Sequence, residues 1–592
     1  MRAPARIALT LAGVAAVMAV LASSASAHAI LQQTSPPSGE TVKRQPKVIE
    51  FRFNEAVETN FGAVKVFDAK GHEVESGGIL RPDGQSSVAT ALKPNLAKGS
   101  YTATYHVISA DSHPVSGGFV FSVGRAGATP KTVAQLTAAD KVGESTQIGF
   151  GIARGIGYAA IAIVAGSLFF LIWTWLPALR STAGADARWR EASERFSQRL
   201  RSIVLLALFL GGLSEALQLV FQGATATGSS FWQAVDSTIL REVIHTRFGT
   251  VHLLALLAFT AMLLLSVPRG WAPVLRPASV GATGLAAPRL GRAELAVIFV
   301  LAGFLVISPS LAGHASTQSP KGVLVPADIV HVAAMSVWLG GLVALIAVLP
   351  VATRALETSD RTRLLAAVLL RFSPVALTMV SLLLVSGLVQ GYIHVRSFDN
   401  LIHTGYGRAV LAKMILLAIL IGFGSYNRRL LPRLKMAAAG GASPGAAGAA
   451  IRSSLRAEVA LIAVVLAVTS ALVSYAPATS RATGPFAATK TMGPLELQVT
   501  IDPARTGQNA MHLYITNAKD GRQFTGTKQL DVLLSLPSKG VGPLRADARK
   551  AGPGHYVVLG ADFVPGGKWK VQIADRVSAF DQYQTTMDVP IR

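Results

Sequence analysis

The residues with the plainest chemistry lie near the amino terminus. A basic start (Arg2, Arg6), an apolar run from Ile7 to Leu21 and the small residues Ala25-Ser26-Ala27 read as a secretory signal peptide, residues 1–27. Cleavage there makes His28 the first residue of the mature chain. Its imidazole and freed α-amine then close a six-membered chelate on one metal ion, and an amine with a pKa of roughly 8 yields its proton to a metal near neutral pH. Further on, Asp111 and His113 stand two apart, between alternating segments that read as strands. On an extended backbone residues i and i+2 project to one side, so carboxylate and imidazole can face a single ion. Amine, imidazole and carboxylate donors suit tetragonal Cu(II), where the affinity series peaks. A lone D-x-H pair equally describes a solvated loop; the terminal histidine is what favours a metal.

These residues need elements to hold them, and the composition says which kind. With 51% hydrophobic residues over 592 positions and a mean hydropathy of +0.44, the chain is too apolar for a soluble protein. Eight apolar segments reach the roughly 20 residues a membrane helix needs: about 148–176, 202–222, 248–267, 293–312, 326–350, 365–391, 407–426 and 457–476. With the amino-terminal part exported, alternate loops face the cytoplasm, and these hold the arginines, among them Arg188, Arg190, Arg195, Arg276, Arg289, Arg361, Arg363, Arg428 and Arg429. The net charge of +23 is thus substantially an effect of topology and anionic lipid, and nucleic acid is not an expected partner. An even number of spans returns the chain to the outside. There are no cysteines, so neither disulfides nor thiolate ligands enter the chemistry. After Pro477, alternating stretches such as Leu495–Ile501 and Asp531–Leu536, broken by Gly and Pro turns, read as a second β-sandwich.

A charged group at mid-bilayer costs roughly 2.5 to 3.5 kcal/mol and needs a reason. In the fifth segment Asp328, His331 and Met335 are spaced i, i+3 and i+7 and share a stripe that descends from hard carboxylate through imidazole to soft thioether. That order fits copper reduced on entry; it also fits a packed methionine and a histidine bonded to a neighbouring helix. Glu215, Gln218 and Gln222 in the second segment and Ser386, Gln390 and His394 in the sixth form similar polar stripes. Lys413, in the seventh, is placed to neutralise either Glu215 or Asp328. His245, His252, His314, His394 and His403 fall in or near the outer half.

Two resemblances follow from these residues. His28-Ala29-Ile30-Leu31, Ser35-Pro36-Pro37-Ser38-Gly39, Phe51-Arg52-Phe53-Asn54-Glu55 and the stretch from Ser109 to Gly117 resemble the CopC family of periplasmic copper-binding, immunoglobulin-like β-sandwiches. The resemblance implies one Cu(II) held by His28, Asp111 and His113. Between His28 and Gly124 there is no methionine, so a second, methionine-rich Cu(I) site is not expected in this domain. Thr246-Arg247-Phe248-Gly249, the H-x-x-x-x-x-x-W-x-G-G pattern from His331 to Gly341, Arg371-Phe372-Ser373-Pro374, Ser386-Gly387, Tyr406-Gly407-Arg408 with Lys413, and Arg456-Ala457-Glu458 resemble the CopD family. CopC followed by CopD on one chain is similar to copper-acquisition fusions of the YcnJ type. The segments Ile501–Asn509 and Pro565-Gly566-Gly567-Lys568-Trp569 resemble small YtkA-like exported domains. Met511, His512 and His555 are ligand types there, and no role is assigned to them.

The expected architecture is a multidomain protein of the cytoplasmic membrane: signal peptide 1–27, CopC-like sandwich 28–125, linker 126–147, CopD-like eight-helix bundle 148–476 and C-terminal sandwich 477–592, with both sandwiches on the periplasmic or extracellular side. The expected function is not enzymatic. Cu(II) is captured outside and copper, as Cu(I) in the bundle, passes to the cytoplasm; a periplasmic copper chaperone is a candidate partner. The alternatives are copper sequestration or resistance with the bundle as an anchor, a His-brace copper oxidase, and a haem membrane oxidoreductase. No P-loop is present. Amino-terminal sequencing of the mature protein is expected to read His-Ala-Ile-Leu from His28; a start at any other residue removes the chelate.

Overall fold

The computed structural model describes residues 29, 31–37, 40–59, 64–109, 114–125, 136, 143–184, 186–267, 291–473, 486–502, 504–520 and 522–591. His28, Asp111 and His113 lie outside them.

The amino-terminal domain is a β-sandwich. One sheet orders its strands Leu31–Ser35, Val48–Phe53, Ser87–Leu92 and Glu75–Leu80; the other orders Thr41–Val42, Pro114–Val123, Gly99–Ser109 and Val57–Glu58, with Val64–Phe67 also on Gly99–Ser109. The alternation in Val48–Phe53 explains the packing, since Ile49, Phe51 and Phe53 point inward. Phe51 meets Tyr105 and Phe119 edge-on at 5.0 and 5.3 Å. The longest strands, Gly99–Ser109 and Pro114–Val123, pair antiparallel down to Ile108 opposite Pro114.

Among the described residues eight helices are long and apolar enough to cross a membrane: spans one to eight are Glu144–Thr182, Ala187–Thr227, Arg247–Ser266, Ala293–Ala312, Lys321–Ala355, Thr358–Val395, Gly405–Ala439 and Gly445–Val473. They follow the eight apolar segments in order. Several are longer, because helix continues past the apolar stretch into arginine-rich ends such as Arg188–Arg199. Two short helices, Ser237–His245 and Phe398–His403, were not legible as elements.

The bundle is two similar halves. Spans one and five each carry a π turn, Leu171–Trp175 and Ala344–Val348, directly before Leu-Pro. Between spans two and three, and again between six and seven, runs a short helix capped by Asp236 or Ser397. A threonine then caps the next span: Thr246 Oγ1 accepts from Gly249 N at 3.0 Å and Thr404 Oγ1 from Gly407 N at 2.8 Å. Span eight packs on span one as span four packs on span five. Four spans per half give both halves the same direction in the membrane.

The halves meet at spans one and five. A Cβ at Gly166 would stand 2.1 Å from the Ser336 carbonyl oxygen, and one at Gly340 2.6 Å from that of Ala162. The two glycines face each other reciprocally, backbone against backbone. Gly341 gives the same room to Phe372 of span six. The W-x-G-G pattern is therefore a packing device.

The C-terminal domain is also a sandwich. Phe486–Met492, Leu495–Asp502, Gly507–Asn517, His555–Phe563 and Arg549–Gly552 form one sheet; Val541–Asp547, Gln529–Leu536, Gly567–Arg576 and Gln582–Ile591 form the other. Val499, Met511 and Leu513 pack with Val532, Leu534 and Trp569 in the core, and Trp569 Nε1 donates to the Pro565 carbonyl at 3.0 Å.

Because the Gly340 contact is with backbone, nothing there can yield to a larger side chain. Gly340→Leu is expected to cost at least the roughly 1–3 kcal/mol of an overpacked core, lowering the melting temperature of the detergent-solubilised protein, whereas Gly322→Leu, with open space around it, leaves it near that of the wild type.

Candidate functional site

Asp328, His331 and Met335 share one face of span five, and neighbours from spans six and seven stand beside it. His331 Nδ1 lies 3.0 Å from Ser386 Oγ. Ser386 Oγ also lies 2.6 Å from the Leu382 carbonyl; with its proton directed there, Nδ1–H donates and Nε2 keeps its lone pair, the arrangement of a metal-ligating imidazole held by an outer partner. Gly387 lies against the ring, where a Cβ would make an ordinary contact at 3.4 Å from His331 Cε1. Lys413 of span seven interacts electrostatically with both Asp328 and His331, and Tyr406 with Asp328. Gln390 Nε2, one turn beyond Ser386, is buried without a hydrogen-bond partner among the described residues.

A second polar cluster fills the first half. Ser214, Glu215, Gln218 and Gln222 of span two are all buried. His252 Nδ1 of span three lies 2.5 Å from Glu215 Oε2. Ser214 Oγ donates to the Ala153 carbonyl of span one at 2.7 Å and accepts from Gln218 Nε2 at 3.2 Å. Gly157 of span one is small enough to sit against this group, since a Cβ would come within 2.7 Å of Ser214 Oγ. Tyr158 interacts with both Glu215 and Asp328, so the two clusters are electrostatically connected.

Of the two carboxylates, Asp328 is the electrostatic neighbour of Lys413, while Glu215 pairs with His252. The Glu215–His252 pair was not legible beforehand: its members are 37 residues apart on different spans, and the only hint was that a glutamate in an apolar segment needs a partner. Glu458 of the R-A-E motif is similarly buried and accepts from Asn427 Nδ2 of span seven at 2.5 Å. The described outer histidines differ in their surroundings. His403 pairs with Asp399 at 2.9 Å in an exposed position, whereas His394 is buried with Tyr406 at 6.0 Å between ring centroids. Among the described residues no cluster of three or more His, Asp or Glu side chains could hold a metal; the Cu(II) set expected at His28, Asp111 and His113 lies outside them.

The geometry defines a class: a multidomain, multi-pass membrane protein whose bundle encloses two polar clusters and presents imidazole and thioether donors from one helix. Comparison with known proteins supplies the rest. Residues 31–124 match the CopC domain, 145–288 the N-terminal domain of copper resistance protein D-like proteins, and 366–472 copper resistance protein D. The chain is 30% identical over 404 residues to the copper transport protein CutJ of Bacillus subtilis, covering 68% of each. It is 33% identical to protein YobA of Escherichia coli over 16% of this chain and 79% of that one. A solved structure, CopC from Methylosinus trichosporium, is 31% identical and covers 16% of this chain and 93% of its own, with a TM-score of 0.15. The chain belongs to the CopC–CopD copper transport and resistance family.

A double-mutant cycle checks the charge assignment. Lys413→Met with Asp328→Asn is expected to show a coupling of about 0.5–3 kcal/mol in thermal stability, as for groups in one network, whereas Lys413→Met with Glu215→Gln shows none.

Proposed function

We propose that this protein acquires copper: Cu(II) is bound outside the cytoplasmic membrane by His28, Asp111 and His113, and copper passes into the cytoplasm past Asp328, His331 and Met335. The observation that carries the reading is the environment of His331. Its ring is held by Ser386 and the Leu383 backbone of span six, and Met335 follows one turn further along the same face of span five. A carboxylate leading to imidazole and then thioether offers a copper ion donors of increasing softness; passage as Cu(I) requires a one-electron reductant from outside this chain. Lys413 beside Asp328 compensates its charge while the path is empty and repels a cation that lingers there. The printed name of the relative in Bacillus subtilis, a copper transport protein, favours a transporter. Inward movement follows the gradient, the membrane potential or tight binding inside the cell.

The test is copper accumulation at low external copper in cells expressing the wild type, His28→Ala, or His331→Ala combined with Met335→Ala. Wild-type cells are expected to gain cytoplasmic copper and both variants to lose most of that gain. A rise confined to the exported compartment, with cytoplasmic copper level in all three strains, makes the bundle an anchor for sequestration and ends the import reading.

A further inference from the structure

The C-terminal sandwich brings together two histidines that the sequence separates by 43 positions. His512 lies in strand Gly507–Asn517 and His555 at the start of strand His555–Phe563, and the two strands pair with Tyr514 opposite His555. His512 and Tyr514 are two apart and share a face of the sheet, opposite to that of the core residues Met511 and Leu513. His512 Nδ1 stands 3.1 Å from His555 Nε2. Tyr514 stacks on His555 with centroids 4.4 Å apart and planes inclined by 12°, which fixes the ring. Both histidines are at least 96% buried, at 4% and 3% exposure.

A hydrogen-bonded imidazole pair leaves one account unbalanced. His512 Nε2 is buried with no partner among the described residues. If Nδ1 carries the proton, Nε2 is an acceptor without a donor; if Nε2 carries it, it is a donor without an acceptor. Burial pushes the His512 imidazole down to about 4 and the His555 imidazole well below the ordinary histidine range, the second also through its neighbour. Both rings are therefore neutral near pH 7, the form that binds metals.

We propose that His512 and His555 form a copper site of their own, a two-coordinate Cu(I) site in the C-terminal sandwich. No group of three or more His, Asp or Glu that could hold a metal occurs among the described residues, which disfavours ions that require four or more donors. A filled-shell monovalent ion accepts two nitrogens in line. Metal–imidazole bonds of roughly 2 Å place His512 Nδ1 and His555 Nε2 about 4 Å apart, an opening of about 1 Å from the observed contact, and the His512 proton then resides on the unpartnered Nε2, which itself is not a ligand. The site is separate from the path along span five and is read by a different measurement.

The experiment is an anaerobic Cu(I) titration of the full-length protein in lipid nanodiscs against bicinchoninate as competitor. His512→Ala, His555→Ala and the double variant are each expected to bind one equivalent fewer than the wild type. His331→Ala with Met335→Ala, which disables the proposed path, is expected to keep that equivalent. His512→Gln retains a donor toward His555 Nε2 while removing an imidazole, and decides the matter if the alanine variants elute as unfolded protein. If His512→Gln, or folded His555→Ala, binds as many equivalents as the wild type, the site does not exist and the pair is a feature of packing alone.

Discussion

The bundle depends on the contact of Gly166 with Gly340. In a bilayer there is little hydrophobic drive to bring one apolar helix to another, so close association has to come from surfaces that fit. Here the fit is reciprocal: each glycine lies over a backbone carbonyl of the opposite span. That closeness places spans one and five side by side at the centre, with spans four and eight against them. The polar residues of spans two, five, six and seven are then held next to one another, where each compensates another's lost hydration.

That compensation has two forms. In the first half a carboxylate is bonded directly by an imidazole, Glu215 by His252, and amides and hydroxyls complete the group. In the second half Asp328 has Lys413 and Tyr406 as its electrostatic neighbours, and His331 is held by a hydroxyl. The first arrangement pairs its imidazole with a carboxylate. The second pairs its imidazole with a hydroxyl and places Met335, packed against the apolar core, one turn further along the same face, and that sequence of donor types is why the copper reading rests on span five and not on span two.

Much of this was legible in the residues alone. Hydropathy locates eight spans because lipid demands long apolar helices whatever the tertiary structure, and alternation locates the sandwich strands for a similarly local reason. The stripe Asp328-His331-Met335 is legible because helical periodicity is local as well. What could not be read is pairing over distance. Glu215 with His252, Asn427 with Glu458, and His512 with His555 join elements that nothing in the chain's local pattern relates. The short helices Ser237–His245 and Phe398–His403 escaped for another reason: they are too brief to show a period and are made by their caps. The glycines of the W-x-G-G pattern were noticed as a motif, but their use, a contact between spans, needed the opposite helix.

The π turns in spans one and five bear on how the helices are to be compared along their length. A π turn accommodates one extra residue, and one residue is about 100° of helical rotation. The face that carries Asp328, His331 and Met335 therefore does not run on in phase beyond Ala344; extrapolated to Leu339 and Leu342, it has already become apolar core. Each of these helices is in effect two phased rods joined end to end, one answering to polar neighbours and the other to the arginine-bearing end of the bundle. A helical wheel drawn through the whole of span five would superimpose residues that look in different directions, and positions on either side of the joint have to be assigned their neighbours separately.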